Sequence, residues 1–204
     1  MPQVMTVPVE GCAPTRGCQP SGCGSSLHSS GWTELAMSDD TETAVLAGGC
    51  AWIMQQLLRH PKGVISTRTG FMGGDNENPT EEDDGGHAEV VEIIFDPELL
   101  SYRGLLEVFF LVHRADLDEG VVGSLYRSEI FCTSVEQRTE AEEMIRDVDA
   151  SGHWLGRTVT RISEAGVFRE MGPEDQDYLL RFPCGCKPPF PREDERARNL
   201  SSFA

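Results

Sequence analysis

Thr43-Ala44-Val45-Leu46-Ala47-Gly48-Gly49-Cys50-Ala51-Trp52-Ile53-Met54-Gln55-Gln56-Leu57-Leu58-Arg59-His60-Pro61 is the stretch on which the architecture turns. Thr43 to Ala47 is a short apolar run of strand length, and Ala51 to His60 places Met54, Leu57 and Leu58 on one helical face before Pro61 and Gly63 stop it. Between them Gly48 and Gly49 supply a turn, so Cys50 lies at a strand-to-helix junction. A thiol is a poor nucleophile until it ionises. Its usual pKa of about 8.5 falls where unpaired N–H groups at a helix start favour negative charge. A Gly-Gly-Cys alone is weak evidence of this, since a free cysteine after a strand is more often a small buried hydrophobe.

Outward from that junction the periodicities alternate. Val64 to Phe71 and Ala88 to Phe95 read as strands, the second filled on both faces by Val90, Ile94, Val91, Ile93 and Phe95, as a central strand would be. Pro97 and Ser101 introduce a helix carrying Leu105, Leu106, Phe109 and Phe110, after which an irregular loop leads to a strand from Tyr126 to Cys132. Ser134 with Gln137 makes a capping box for an acidic amphipathic helix reaching about Ala150. A strand near Arg157 to Ile162, a short helix from Pro173 to Arg181 and a Pro/Gly/Cys-rich tail complete the chain. The order β-α-β-β-α-β-α-β predicts an α+β fold: a ferredoxin-like split βαβ core with a mixed sheet, helices packed on it and a coiled C-terminal tail.

The 204 residues suffice for one good core, and the domain is expected over residues 43–193 with a short flexible tail at 194–204. Residues 1–42, rich in Gly, Ser and Pro, read as a disordered arm. Cys12, Cys18 and Cys23 in that arm miss the paired C-x2-C spacing of zinc sites, so no metal is expected there. A formal net charge of -17 repels phosphate backbones and anionic lipid, which excludes nucleic acid and membrane surfaces as partners. Neither an apolar run of about 18 residues nor a signal-like N-terminus is visible. With seven cysteines, an odd number scattered along the chain, reduced thiols in the cytoplasm are the expectation.

The run Leu46-Ala47-Gly48-Gly49-Cys50-Ala51-Trp52 resembles the G-C-F-W nucleophile motif of the peptide methionine sulfoxide reductase A family. The resemblance continues in collinear order through Pro61-Lys62-Gly63-Val64, Gly70-Phe71-Met72-Gly73-Gly74, Asn78-Pro79-Thr80, Gly86-His87-Ala88-Glu89-Val90, Phe95-Asp96-Pro97, Tyr126-Arg127-Ser128, Gln176-Asp177-Tyr178-Leu179 and Phe190-Pro191-Arg192. It implies that Cys50 is the nucleophile and Trp52 one wall of the pocket for the substrate methyl group. It further implies Glu89 as the acid that protonates the sulfoxide oxygen and Tyr126 as a hydrogen-bond donor to it. His87 reads as structural.

Such a site reduces the S-epimer of methionine sulfoxide, free or in peptides, through a cysteine sulfenic acid. No cofactor is called for, and thioredoxin or another dithiol is the implied reductant. Departures fall on the pocket. Ala51 stands where the family has a phenylalanine, which predicts a missing wall. Ile53 replaces a glycine, Glu81 a second oxygen-binding tyrosine, and Val121 an aspartate. Glu81 near a thiolate and a second carboxylate is expected to raise both pKa values unless it points to solvent or meets a cation. The usual resolving position is Pro188, so Cys184 and Cys186 become the candidates for resolving the sulfenate. The departures leave a second reading, a repurposed paralogue turning the same cysteine and glutamate on a different sulfur compound, as in a biosynthetic pathway; a third, a non-catalytic sulfoxide- or metal-binding protein, is opposed by the retention of Cys50, Glu89 and Tyr126.

Overall fold

A computed structural model describes residues 40–154 and 156–183. The expected arm, the cysteines at 12, 18 and 23, the tail and the candidates Cys184 and Cys186 lie outside the described residues. Six strands form one sheet: β1 (Glu42–Gly48), β2 (Val64–Met72), β3 (Ala88–Phe95), β4 (Ser128–Cys132), β5 (Arg161–Glu164) and β6 (Arg169–Glu170). The spatial order is β5-β4-β1-β3-β2-β6, antiparallel at every joint except the parallel pair β4–β5. The helices are α1 (Ala51–Leu58), α2 (Tyr102–Val112), α3 (Glu119–Val122), α4 (Val135–Ser151) and α5 (Tyr178–Arg181), with a 3-10 turn at Ser124–Tyr126.

β1 and β2 are joined through α1 and separated by β3, which is the split βαβ expected. The interior position of β1 and β3 follows from composition, because only strands apolar on both faces can be covered on both. Ala44 and Leu46 of β1, with Val91, Ile93 and Phe95 of β3, face a core built with Met54 and Leu58 of α1, five residues of α2 and Ala141 and Met144 of α4. Val45, Ala47, Ala88 and Val90 face a smaller cluster with Met72 and Phe131 on the other side. In α2, Leu105, Leu106, Phe109 and Phe110 are exposed by 3% or less, and each such side chain contributes about 1.5–3 kcal/mol of burial. Ser101 caps α2 through Gly104 N–H at 3.1 Å, and Ser134 caps α4 through Gln137 N–H at 3.1 Å.

Element boundaries differ from expectation where backbone partners lie elsewhere. The strand expected over 157–162 is Arg161–Glu164, because Thr158 N–H donates to Asp149 Oδ1 at 2.7 Å and Val159 N–H to Ala115 O at 2.8 Å, leaving that stretch no ladder. The expected helix over 173–181 shrinks to α5, since Asp177 adopts φ +54° and interrupts it. Tyr126 lies in the 3-10 turn rather than in β4, and α3 and the two-residue β6 carry too little pattern to have been foreseen. In α4 the Gln137 side chain departs from a capping box: Oε1 accepts from Thr133 N–H and Nε2 donates to Thr43 O, tying the helix start to β1.

Candidate active site

The nucleophile candidate is placed by backbone geometry. β1 ends at Gly48, Gly49 turns the chain at φ +104°, and Cys50 is the residue before the first turn of α1, half-buried. Gly48 has no room for a side chain, since a Cβ there would meet Phe109 Cε2 at 2.8 Å, Met54 Cε at 3.0 Å and His113 Cγ at 3.1 Å. His113 is part of that wall: its Nδ1–H donates to Phe109 O at 2.7 Å and its Nε2 lies 2.8 Å from Ser128 Oγ. Burial pushes His113 down to about 4, so it is neutral packing rather than a base.

Glu89 enters from β3, which runs antiparallel beside β1, and is 8% exposed. Its Oε2 accepts a hydrogen bond from the Ala51 N–H at 2.7 Å, so the carboxyl is docked on the first peptide after Cys50. Burial pushes its pKa up to about 7; the Ala51 bond pulls the other way, and the negative charges of Glu81 and Asp175 add to the rise. A carboxyl in that state is roughly half protonated at neutral pH and can deliver a proton there.

Tyr126 closes the group from the 3-10 turn, half-buried. Burial, then the charge of Glu89, then the hydrogen bond and charge of Glu81, then Cys50, hold its phenol above the usual tyrosine range, so it stays a donor. In this structure the hydroxyl donates to Glu81 Oε1 at 3.0 Å. Glu81 is exposed yet meets the phenol rather than a cation, and it acts on Glu89 in the expected direction.

Trp52 stacks on Tyr178, with ring centroids 3.9 Å apart and planes 13° from parallel. Its indole also hydrogen-bonds Asp175, whose carboxyl is nonetheless raised, by burial first and by Glu174 next. The segment bearing Asp175 and Tyr178 is strapped down by two glutamines. Gln55 Oε1 accepts from Asp177 N–H at 3.0 Å while its Nε2 reaches Thr67 O at 3.1 Å; Gln176 takes Thr69 N–H and O, both at 2.9 Å. None of Gln55, Asp175, Gln176 and Tyr178 had been given a role from sequence. A glutamine on the apolar face of α1 was the available signal.

Ala51 is 1% exposed and packs in the main core, and Ile53 is 8% exposed, so the small side chain meets core atoms rather than an opened pocket. Val121 is 72% exposed on α3. His87 is buried and its Nε2–H donates to Asn76 O at 2.9 Å, holding the loop before β3. Among the described residues no group of three or more His, Cys, Asp or Glu is placed to hold a metal ion, and no helix is long and apolar enough to cross a membrane.

A cysteine, a carboxylic acid and a phenol are gathered near one strand-to-helix turn, and the class to which the α+β fold and its family belong is that of oxidoreductases. The family model for peptide methionine sulfoxide reductase matches residues 42–197, and the chain belongs to that family. It is 51% identical over 158 residues to the peptide methionine sulfoxide reductase MsrA of Nocardia farcinica, covering 76% of this chain and 93% of the relative. The MsrA of Leifsonia xyli subsp. xyli is 53% identical over 155 residues, covering 74% of this chain and 92% of the relative. Among solved structures, methionine sulfoxide reductase A of Corynebacterium diphtheriae superposes with a TM-score of 0.62 at 27% identity, covering 76% of this chain and 82% of that one. Reduced Mxr1 of Saccharomyces cerevisiae reaches 0.68 at 21% identity, covering 77% and 95%, and shares the fold.

Proposed function

We propose that the chain reduces methionine sulfoxide, free or in peptides, with Cys50 as nucleophile, Glu89 as proton donor and Tyr126 as hydrogen-bond donor. The observation that carries this reading is the 2.7 Å bond from Ala51 N–H to Glu89 Oε2, which sets the acid one residue from the thiol. The Cys50 thiolate attacks the sulfoxide sulfur, and Glu89 in its acid form gives a proton to the oxygen, turning it into a leaving group. The net result is a two-electron reduction: the thioether is released and Cys50 becomes a sulfenic acid carrying the oxygen. Trp52, fixed by Tyr178 and Asp175, offers its remaining face to the substrate methyl group. The S-epimer is the epimer we assign.

A tail thiol, Cys184 or Cys186, then condenses with the sulfenate and releases water, leaving a disulfide that an external dithiol reduces. Thioredoxin is the dithiol we assign; yeast Mxr1 has been solved in complex with Trx2, at a TM-score of 0.53 and 20% identity. A cytoplasmic setting, which keeps thiols reduced, suits this cycle. The paralogue reading is not favoured beside relatives half identical to the chain that bear the reductase name.

The test is turnover of each sulfoxide epimer with dithiothreitol. Cys50→Ser should abolish it, a dimedone-type probe should label the wild type after one turnover, and Glu89→Gln should slow it by about 10²–10⁴-fold with unchanged circular dichroism. Full activity in the serine variant ends this reading.

A further inference from the structure

We infer that Arg127, paired with Glu129, is a positioning residue for the reaction: from the reverse face of the sheet it locks the loop leading to Glu89 against the turn carrying Tyr126. The inference rests on the roles proposed for those two residues.

Glu89 comes from β3 and Tyr126 from the 3-10 turn before β4; that turn packs against β3 with no backbone hydrogen bond between the two among the described residues. β3 and β4 flank β1 on opposite sides, so their entry points lie two strand spacings apart, about 10 Å, and no ladder bond joins them. Hydrogen bonds that fix their separation must therefore come from side chains. Arg127, Glu129 and Phe131 alternate onto the face of the smaller apolar cluster, while Ser128 and Ile130 point to the helices and the active site.

From there the Arg127 Nη1 donates to two carbonyls at once, Gly86 O at 3.2 Å and Ser124 O at 2.9 Å. Gly86 lies three residues before Glu89, and Ser124 opens the turn that ends at Tyr126. One nitrogen therefore bridges both approaches. Its Nε donates to Glu129 Oε2 at 2.6 Å, with both side chains 6% exposed, and Glu129 Oε1 accepts from Ser163 Oγ on β5. The glycine at 73, at φ +92°, lets the guanidinium pass, since a Cβ there would meet Arg127 Nη2 at 2.9 Å.

A planar fork reaches the carboxylate and the two carbonyls from different nitrogens, whereas a lysine has one nitrogen and cannot occupy both places. Displacement of a catalytic group by about 1 Å is enough to cost about 10²-fold in rate. The buried, neutralised pair is thus matched to a positional task.

Arg127→Lys and Glu129→Gln, made in the full chain, test this. Arg127→Lys should lower kcat by about 10²-fold and Glu129→Gln by about 10-fold. Far-UV circular dichroism should hold, and the iodoacetamide alkylation rate of Cys50, followed by peptide mass spectrometry, should stay within about twofold, because none of the hydrogen bonds of Arg127 or Glu129 reaches α1. In a sample carrying ¹³C-labelled glutamate, the Glu89 carboxyl midpoint should drop by about one unit in Arg127→Lys as water enters beside it.

A wild-type kcat in Arg127→Lys overturns the inference, as does a Cys50 alkylation rate that falls in step with kcat. If Arg127→Lys does not fold, a wild-type kcat in Glu129→Gln overturns it instead. Should the wild-type protein reduce no sulfoxide, the proposed function fails by itself. The brace then stands or falls on the Glu89 titration, and an unmoved midpoint refutes it.

Discussion

At the scale of single residues, the bond between Tyr126 and Glu81 sets the resting state of the site. A phenol has one proton to donate, and here it is given to a carboxylate rather than held toward the place where a sulfoxide oxygen arrives. The substrate must compete for it. Replacing the acceptor should therefore help: Glu81→Ala leaves the Tyr126 hydroxyl without that partner, and a hydrogen bond regained in the transition state is worth about 0.5–1.5 kcal/mol, or roughly 2–10-fold in kcat/KM. The same change removes one of the charges that raise Glu89. The fall in kcat with rising pH, as Glu89 loses its proton around pH 7, should begin lower in the variant. A variant with unchanged kcat/KM and an unmoved alkaline limb shows that Glu81 leaves the site when substrate binds.

At the scale of elements, α1 and the residue before it tie the candidate site, the core and the segment bearing Asp177 and Tyr178 together through Cys50, Ala51, Trp52 and Gln55. Because Ala51 is 1% exposed in the main core, Ala51→Phe, which would restore the residue the family resemblance suggests, has no open wall to fill. The ring must push α1 off the sheet, and overpacking of this kind costs about 1–3 kcal/mol. We expect a lowered denaturation midpoint without a gain in affinity; a lower KM at unchanged stability shows that the position faces substrate.

The same element shows how much was legible beforehand. The strand, the glycine turn, Cys50 and the helix were readable because period and punctuation agree locally. Glu89 lies at the head of a run apolar enough for a central strand, but it was singled out by the family resemblance and not by that run. The packing of Ala51, the Trp52–Tyr178 stack and the Gln55 strap were not readable, since each depends on residues far apart in sequence, 122 positions for Gln55 and Asp177, meeting through the tertiary fold. The strand drawn at 157–162 failed for the converse reason. Its residues have strand propensity, but Asp149 and Ala115 take their N–H groups first.

At the scale of the whole molecule, the formal charge of -17 acts on anything that approaches. Peptides whose methionine sulfoxide is flanked by lysine should be reduced with a kcat/KM about 10-fold or more above glutamate-flanked ones at ~0.01 M salt. The ratio should shrink toward one at ~0.5 M, where screening is nearly complete within a few ångströms. A ratio that ignores salt locates the preference in local contacts. The two ends of the sheet carry a different consequence. Its margins are β5, four residues with Arg161 and Glu164, and β6, two residues pairing only Gly70 and Phe71 of β2 and consisting of Arg169 and Glu170. β5 is too short and charged to offer a second copy a template for strand addition. Beyond β6 the margin is β2 itself, where the Gln55 side chain takes Thr67 O and the Gln176 side chain takes Thr69 N–H and O, so the edges of the described sheet are blunted against edge-to-edge aggregation.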